Sequence, residues 1–98
     1  MITLAEIDAL LEAMQAEFEK TGQDADRPGA ITFQRDDWVG FNPPCCCTSP
    51  LRGIRYRGVR ILVSKERKTR VWTRGEAEAG GENGQPYEDL KTIADAAV

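Results

Sequence analysis

Three consecutive cysteines, Cys45, Cys46 and Cys47, stand in the stretch PPCCCTSP at 43–50 and are the first residues whose type could do chemistry. A structural zinc site takes four ligands, usually as spaced pairs such as C-x2-C, so that two sulfurs reach one ion from a tight turn. Adjacent cysteines point apart instead. The chain has three cysteines and no histidine, so a zinc site would need a carboxylate or a second subunit to complete it. A catalytic thiolate needs a base or a positive field beside it. Arg52 is near in sequence, but there is no imidazole to act as partner. These residues therefore read as a loop of reduced thiols, with metal binding or bridging between subunits left as alternatives. No cofactor is expected.

Other catalytic sets are also missing. Without histidine the usual hydrolase triad cannot form. Asp36 and Asp37 read as helix caps rather than as a paired acid and base. GEAEAGGENG lacks the lysine–serine/threonine ending of a phosphate loop. The chain is expected not to be an enzyme.

Charge carries a stronger signal. Residues 1–50 hold three bases against nine acids, residues 51–75 hold nine bases against Glu66 alone, and residues 76–98 hold Lys91 against six acids. The net charges are −6, +8 and −5, giving −3 for the chain. A basic centre between acidic ends implies either internal neutralisation or subunits that meet through opposite charges. The candidate interaction surface is Arg55, Arg57, Arg60, Lys65, Arg67, Lys68, Arg70 and Arg74, with Tyr56 and Trp72 interleaved. A basic two-stranded ribbon of this kind could enter a nucleic-acid groove. The acidic ends and the negative overall balance weigh against that.

The elements that must position these residues follow from periodicity. Leu4, Ile7, Leu11, Met14 and Phe18 recur at three and four, which predicts an amphipathic helix over 4–20. Thr3 and Glu6 form a capping box, Ile2 can staple onto Ile7, and Gly22 stops the helix. AITFQ at 30–34 reads as a short strand and RDDWVGF as one helical turn capped by Asp36 or Asp37, with Trp38 and Phe41 turned inward. The proline-rich 42–50 reads as loop. IRYRGVRILVS at 54–64 and TRVWTR at 69–74 read as strands joined by the charged turn KERK into a hairpin, with Gly58 at a bulge or tight turn. Residues 75–85 carry many glycines and read as a flexible linker. PYEDLKTIADAAV closes with a helix begun by Pro86. The expected architecture is one α+β domain over 1–98. A long N-terminal helix packs on a small, mostly antiparallel sheet, and a C-terminal helix follows the linker.

The order helix, strand, aspartate–tryptophan turn, and then a glycine-centred step into a valine-rich strand is similar to the peripheral domain of the tailed-phage major capsid fold. The matching residues are Ala30 to Phe33, Asp37, Trp38, Tyr56, Gly58, Val59, Ile61, Val63 and Ser64, within roughly residues 8–75. The extended arm, long loop and axial domain of that family's shell-forming subunits have no counterpart in these 98 residues. The resemblance thus implies a small phage-encoded accessory virion protein on a related scaffold. Its work would be protein–protein contact with other phage or host proteins, including a second copy of itself. Two alternatives are a phage-encoded inhibitor of a host defence nuclease complex, with Glu6, Glu12, Glu17 and Glu19 mimicking phosphates, and a nucleic-acid-binding module. No apolar run is long enough for a membrane span. The start is acidic and amphipathic, unlike a signal peptide, so the expected location is the host cytoplasm or the assembled virion.

Overall fold

The computed structural model describes residues 3–41, 46–47, 53–82 and 84–92, with the backbone alone for 41, 46 and 47. The first helix, α1 (Leu4–Thr21), starts where expected, with Thr3 Oγ1 accepting from the Glu6 amide at 3.2 Å. It ends at Gly22, whose φ of 72° is a left-handed conformation that costs a glycine little. Ile7 and Leu11 are fully buried, and Leu4 and Met14 pack beside them. Each full burial stabilises by roughly 1.5–3 kcal/mol. The proposed staple of Ile2 lies outside the described residues.

One 3-10 turn (Asp24–Asp26) leads into β1 (Pro28–Gln34), followed by α2 (Arg35–Phe41), β2 (Cys46–Cys47), β3 (Ile54–Tyr56), β4 (Val59–Ser64), β5 (Arg70–Thr73) and α3 (Arg74–Gly80). The strands form one sheet in the order β2-β3-β4-β1-β5. β1 runs parallel to β4, and the other three pairings are antiparallel. The fold is α+β, with the long helix on a mixed, mostly antiparallel sheet and a further helix toward the C-terminal end. α1 covers one face over Ile31, Phe33, Tyr56, Val59, Ile61 and Val71, while Trp38 of α2 meets Phe33 edge-on at 5.2 Å between centroids. The other face, carrying Ala30, Thr32 and Trp72, lies under α3 and the chain that follows it.

β1 is central and buried on both faces, and this overturns the expected hairpin. β4 and β5 do not pair with each other; β1 lies between them. The strand with two apolar faces takes the position where both are covered, and residues 65–69 easily cross the roughly 10 Å of two strand spacings. Thr32, buried on that strand, donates to Lys68 O at 2.9 Å and accepts from Trp72 Nε1 at 2.9 Å. The true hairpin joins β3 to β4 through Arg57 and Gly58, with φ of 53° and 84°. Two successive positive φ values fit the turn that matches strand twist.

Four further expectations change. The start of α2 is capped by Gln34, whose Oε1 accepts from the Asp36 amide at 2.7 Å, whereas Asp37 accepts from Thr69 Oγ1 at 2.5 Å. The proline-rich loop contains the short strand β2, paired with Ile54 and Arg55. The expected linker at 75–85 is largely α3, with a full capping box between Thr73 and Glu76 and Ala77 fully buried. The expected helix from Pro86 is absent from residues 86–92, which run without regular structure. Its remaining residues, 93–98, lie outside the described ones.

Candidate functional site

The basic residues expected to form one surface separate into two groups. Arg55 and Arg57, flanking Tyr56 at the β3–β4 turn, are 1% and 3% exposed and belong to no surface. Arg55 donates from Nη1 to Gly58 O at 2.8 Å and from Nη2 to Pro86 O at 2.5 Å, and its Nε lies 3.3 Å from Glu88 Oε2. Arg57 donates from Nε to Lys91 O at 2.8 Å and pairs with Asp8 at 3.3 Å and with Glu12. Tyr56 completes this cluster by donating to Asp8 Oδ1 at 2.7 Å. A guanidinium has five N–H donors in a planar fork, so it can satisfy several acceptors at once in a buried place.

Arg60 and Arg74 also turn toward the chain's own backbone. Arg60 donates to Gln85 O at 2.6 Å and Arg74 to Glu88 O at 3.2 Å. Arg74 lies 4.7 Å over the Tyr87 ring, and its Nε is buried without a hydrogen-bond partner. Burial first, and then the nearby Arg27 charge, hold its pKa below the ordinary arginine value. The Tyr87 phenol is pushed up, by burial first and then by the Glu78 carboxylate. Arg27 itself pairs with Asp89 and, at 3.5 Å, with Asp24.

The second group surrounds the β4–β5 connection. Lys65 and Lys68 are exposed, and among the described residues no carboxylate pairs with either ammonium. Arg67 reaches Glu82 at 2.7 Å, and Arg70 pairs with Glu76 while stacking 4.1 Å over Trp72. Both arginines remain about half exposed. The Glu76 carboxyl is held below its usual value, chiefly by the Thr73 amide that donates to it and also by Arg70. Val39 on α2, 77% exposed, and Val63 on β4, 43% exposed, lie at this same end of the sheet. Val63, in register with Phe33, is on the α1 face, whereas Arg70, in register with Thr32, is on the face toward α3.

Sequence reasoning did not find the acidic partners of the first group, nor the segment 84–92 that receives them. A signal was present: the acidic ends on either side of the basic centre. Two clefts, about 330 Å³ against α1 and about 300 Å³ against α3, flank that segment. The described residues hold no cluster of metal-ligating side chains, and the side chains of Cys45, Cys46 and Cys47 lie outside them. No helix among the described residues is long and apolar enough to cross a membrane. Of the four glutamates read as phosphate mimics, Glu12 is committed to Arg57. No protein-family model matches the chain, and neither the curated proteins nor the solved structures give a match.

Proposed function

We propose that the chain is a non-enzymatic accessory or structural protein that works through protein–protein contact, in the tailed-phage setting that the resemblance of residues 8–75 implies. The observation that carries the contact reading is the patch at the β4–β5 connection. Lys65 and Lys68 stand exposed and unpaired among the described residues, in one short connection with the half-exposed Arg67 and Arg70. Four exposed bases in one connection, against Glu66 within it, suit a partner with an acidic surface. The groove-entering ribbon that motivated nucleic-acid binding is not formed, because β1 separates β4 from β5. The phage setting rests on the resemblance alone.

The test is affinity capture of the tagged protein from phage-producing cells, read by mass spectrometry, with wild type beside Lys65→Glu/Lys68→Glu. Reductant is present, and moderate and high salt are compared. Capsid, portal or tail proteins recovered by wild type and lost in the double variant support the reading. Recovery of a host nuclease complex, or of nucleic acid released at high salt, overturns it.

A further inference from the structure

Residues 84–92 lie across the sheet like a bound peptide. They leave the end of α3, where Gly81 has φ of 77°, and pass over the face opposite α1 to reach the β3–β4 turn. Four arginines hold this strap by its main chain: Arg60 at Gln85 O, Arg55 at Pro86 O, Arg74 at Glu88 O and Arg57 at Lys91 O. The Lys91 amide returns a bond to Arg57 O at 2.9 Å. Side chains add to this hold. Asp89 pairs with Arg27, Glu88 with Arg55, Tyr87 lies under Arg74 and donates to Glu78, and Leu90 packs against the apolar core.

Two close approaches set the register. A Cβ on Gly84 would stand 2.0 Å from Gly29 O on the central strand, and a Cβ on Gly58 would stand 2.7 Å from Asp89 O. No side chain fits at either point without moving backbone. The seat thus recognises an extended segment of the form glycine, two residues, aromatic, acid, acid. Main-chain recognition of this kind is the mode by which extended peptides add to folded domains. It does not require that the segment belong to the same molecule.

We infer that the arginine-lined seat under residues 84–92 is a docking site for an extended acidic segment, filled within one molecule by its own strap and between molecules by the strap of a second copy. The second copy is the occupant because it carries the matching sequence, with glycine where Gly29 demands one and acids where Arg27 and Arg55 await them. Exchange of an identical element between two copies is a low-cost route to a dimer. The inference uses none of the patch residues at the β4–β5 connection and stands or falls apart from them.

The test uses the full chain and a fluorescent peptide of residues 84–92. In Gly84→Val the added side chain cannot sit against Gly29 O, so the strap lifts and the seat opens. That protein should bind the wild-type peptide about tenfold more tightly than wild-type protein, whose own strap competes at roughly millimolar effective concentration. A peptide carrying the same valine should not bind. Wild type should form dimers as concentration rises in light scattering, Gly84→Val should stay monomeric, and excess peptide should return wild type to monomer. If Gly84→Val does not fold, Asp89→Lys, which repels Arg27 at the exposed end of the strap, replaces it in the same peptide assay. A folded, strap-loosened variant that ignores the peptide, or one that takes the valine peptide equally well, overturns the site. Peptide binding with no dimer at any concentration overturns the second copy as its occupant.

Discussion

Residues 55–60 and 65–70 are both short stretches with three or four bases, yet they meet opposite fates. In the first, Arg55 and Arg57 are almost fully buried and bonded on several sides. In the second, Lys65, Arg67, Lys68 and Arg70 face solvent. Composition does not separate them; what surrounds each does. The first stretch is a tight turn between α1 and residues 84–92, both acidic, so its charges meet carboxylates and carbonyls. The second is an exposed crossing over the end of β1, where Glu76 and Glu82 each reach one arginine and solvent takes the rest. Burying a charge costs several kcal/mol unless partners replace the lost water, so the acidic flanks decide which arginines enter the fold.

The largest expected effect tests the first stretch. Arg57→Ala leaves the Lys91 carbonyl without its guanidinium donor and Asp8 without its counter-charge, with Tyr56 as its remaining donor, and removing one partner of a buried pair costs about 3–5 kcal/mol. A chain of this size is stabilised by about 5–15 kcal/mol in all, so urea unfolding should show most of that margin gone. Arg57→Lys should recover less than half, because one ammonium cannot serve Asp8, Glu12 and Lys91 O together. Lys68→Ala should stay within about 0.5 kcal/mol. Equal losses at positions 57 and 68 would erase the distinction.

Much of this fold was legible, and the failures have a common cause. The stripe of α1, its Thr3 cap, Gly22 and the turn at Gly58 are local, and local rules found them. The pairing of β4 with β5 failed because it is a contest between strands, settled by β1, which is buried on both faces although polar Thr32 interrupts its apolar residues. α3 was missed although Thr73 and Glu76 repeat the T-x-x-E pattern used correctly at Thr3 and Glu6. Its glycines, Gly75, Gly80 and Gly81, outweighed that cap in the reading. The interaction surface failed at Arg55 and Arg57 because residues 31 to 49 positions away in sequence supply most of their partners. The charge blocks signalled internal neutralisation but could not assign pairs.

A smaller effect sharpens the role of Tyr56, which sits between the two buried arginines. Tyr56→Phe removes its bond to Asp8 while leaving the ring in the core, and should cost about 1 kcal/mol. Because the cluster is buried, this loss should be nearly the same in low and high salt. Arg70→Ala removes an exposed pair with Glu76 and the stack on Trp72, each about 0.5–1 kcal/mol at most. Its ionic part should shrink as salt is raised. A salt response at Tyr56 and none at Arg70 would reverse the assignment of buried and exposed networks.

The smallest effect depends on pH. Glu76 closes the cap of α3 and pairs with Arg70, and its carboxyl is held below the ordinary 4.5, first by the Thr73 amide. A carboxyl whose folded pKa is lowered contributes stability that is present above its unfolded value and lost as pH falls through the folded one. Glu76→Gln keeps the amide-accepting oxygen of the cap but removes the charge. Wild type should therefore exceed the variant by a few tenths of a kcal/mol near neutrality, since the pair is partly exposed. The gap should close as pH falls below 4.5, whereas the Arg57→Ala loss at neutral pH remains roughly an order of magnitude larger. Urea unfolding of both proteins across that range gives the answer. A gap that widens on acidification would mean that the charge on Glu76 opposes the fold, and that the exposed arginines of the second stretch draw no support from α3.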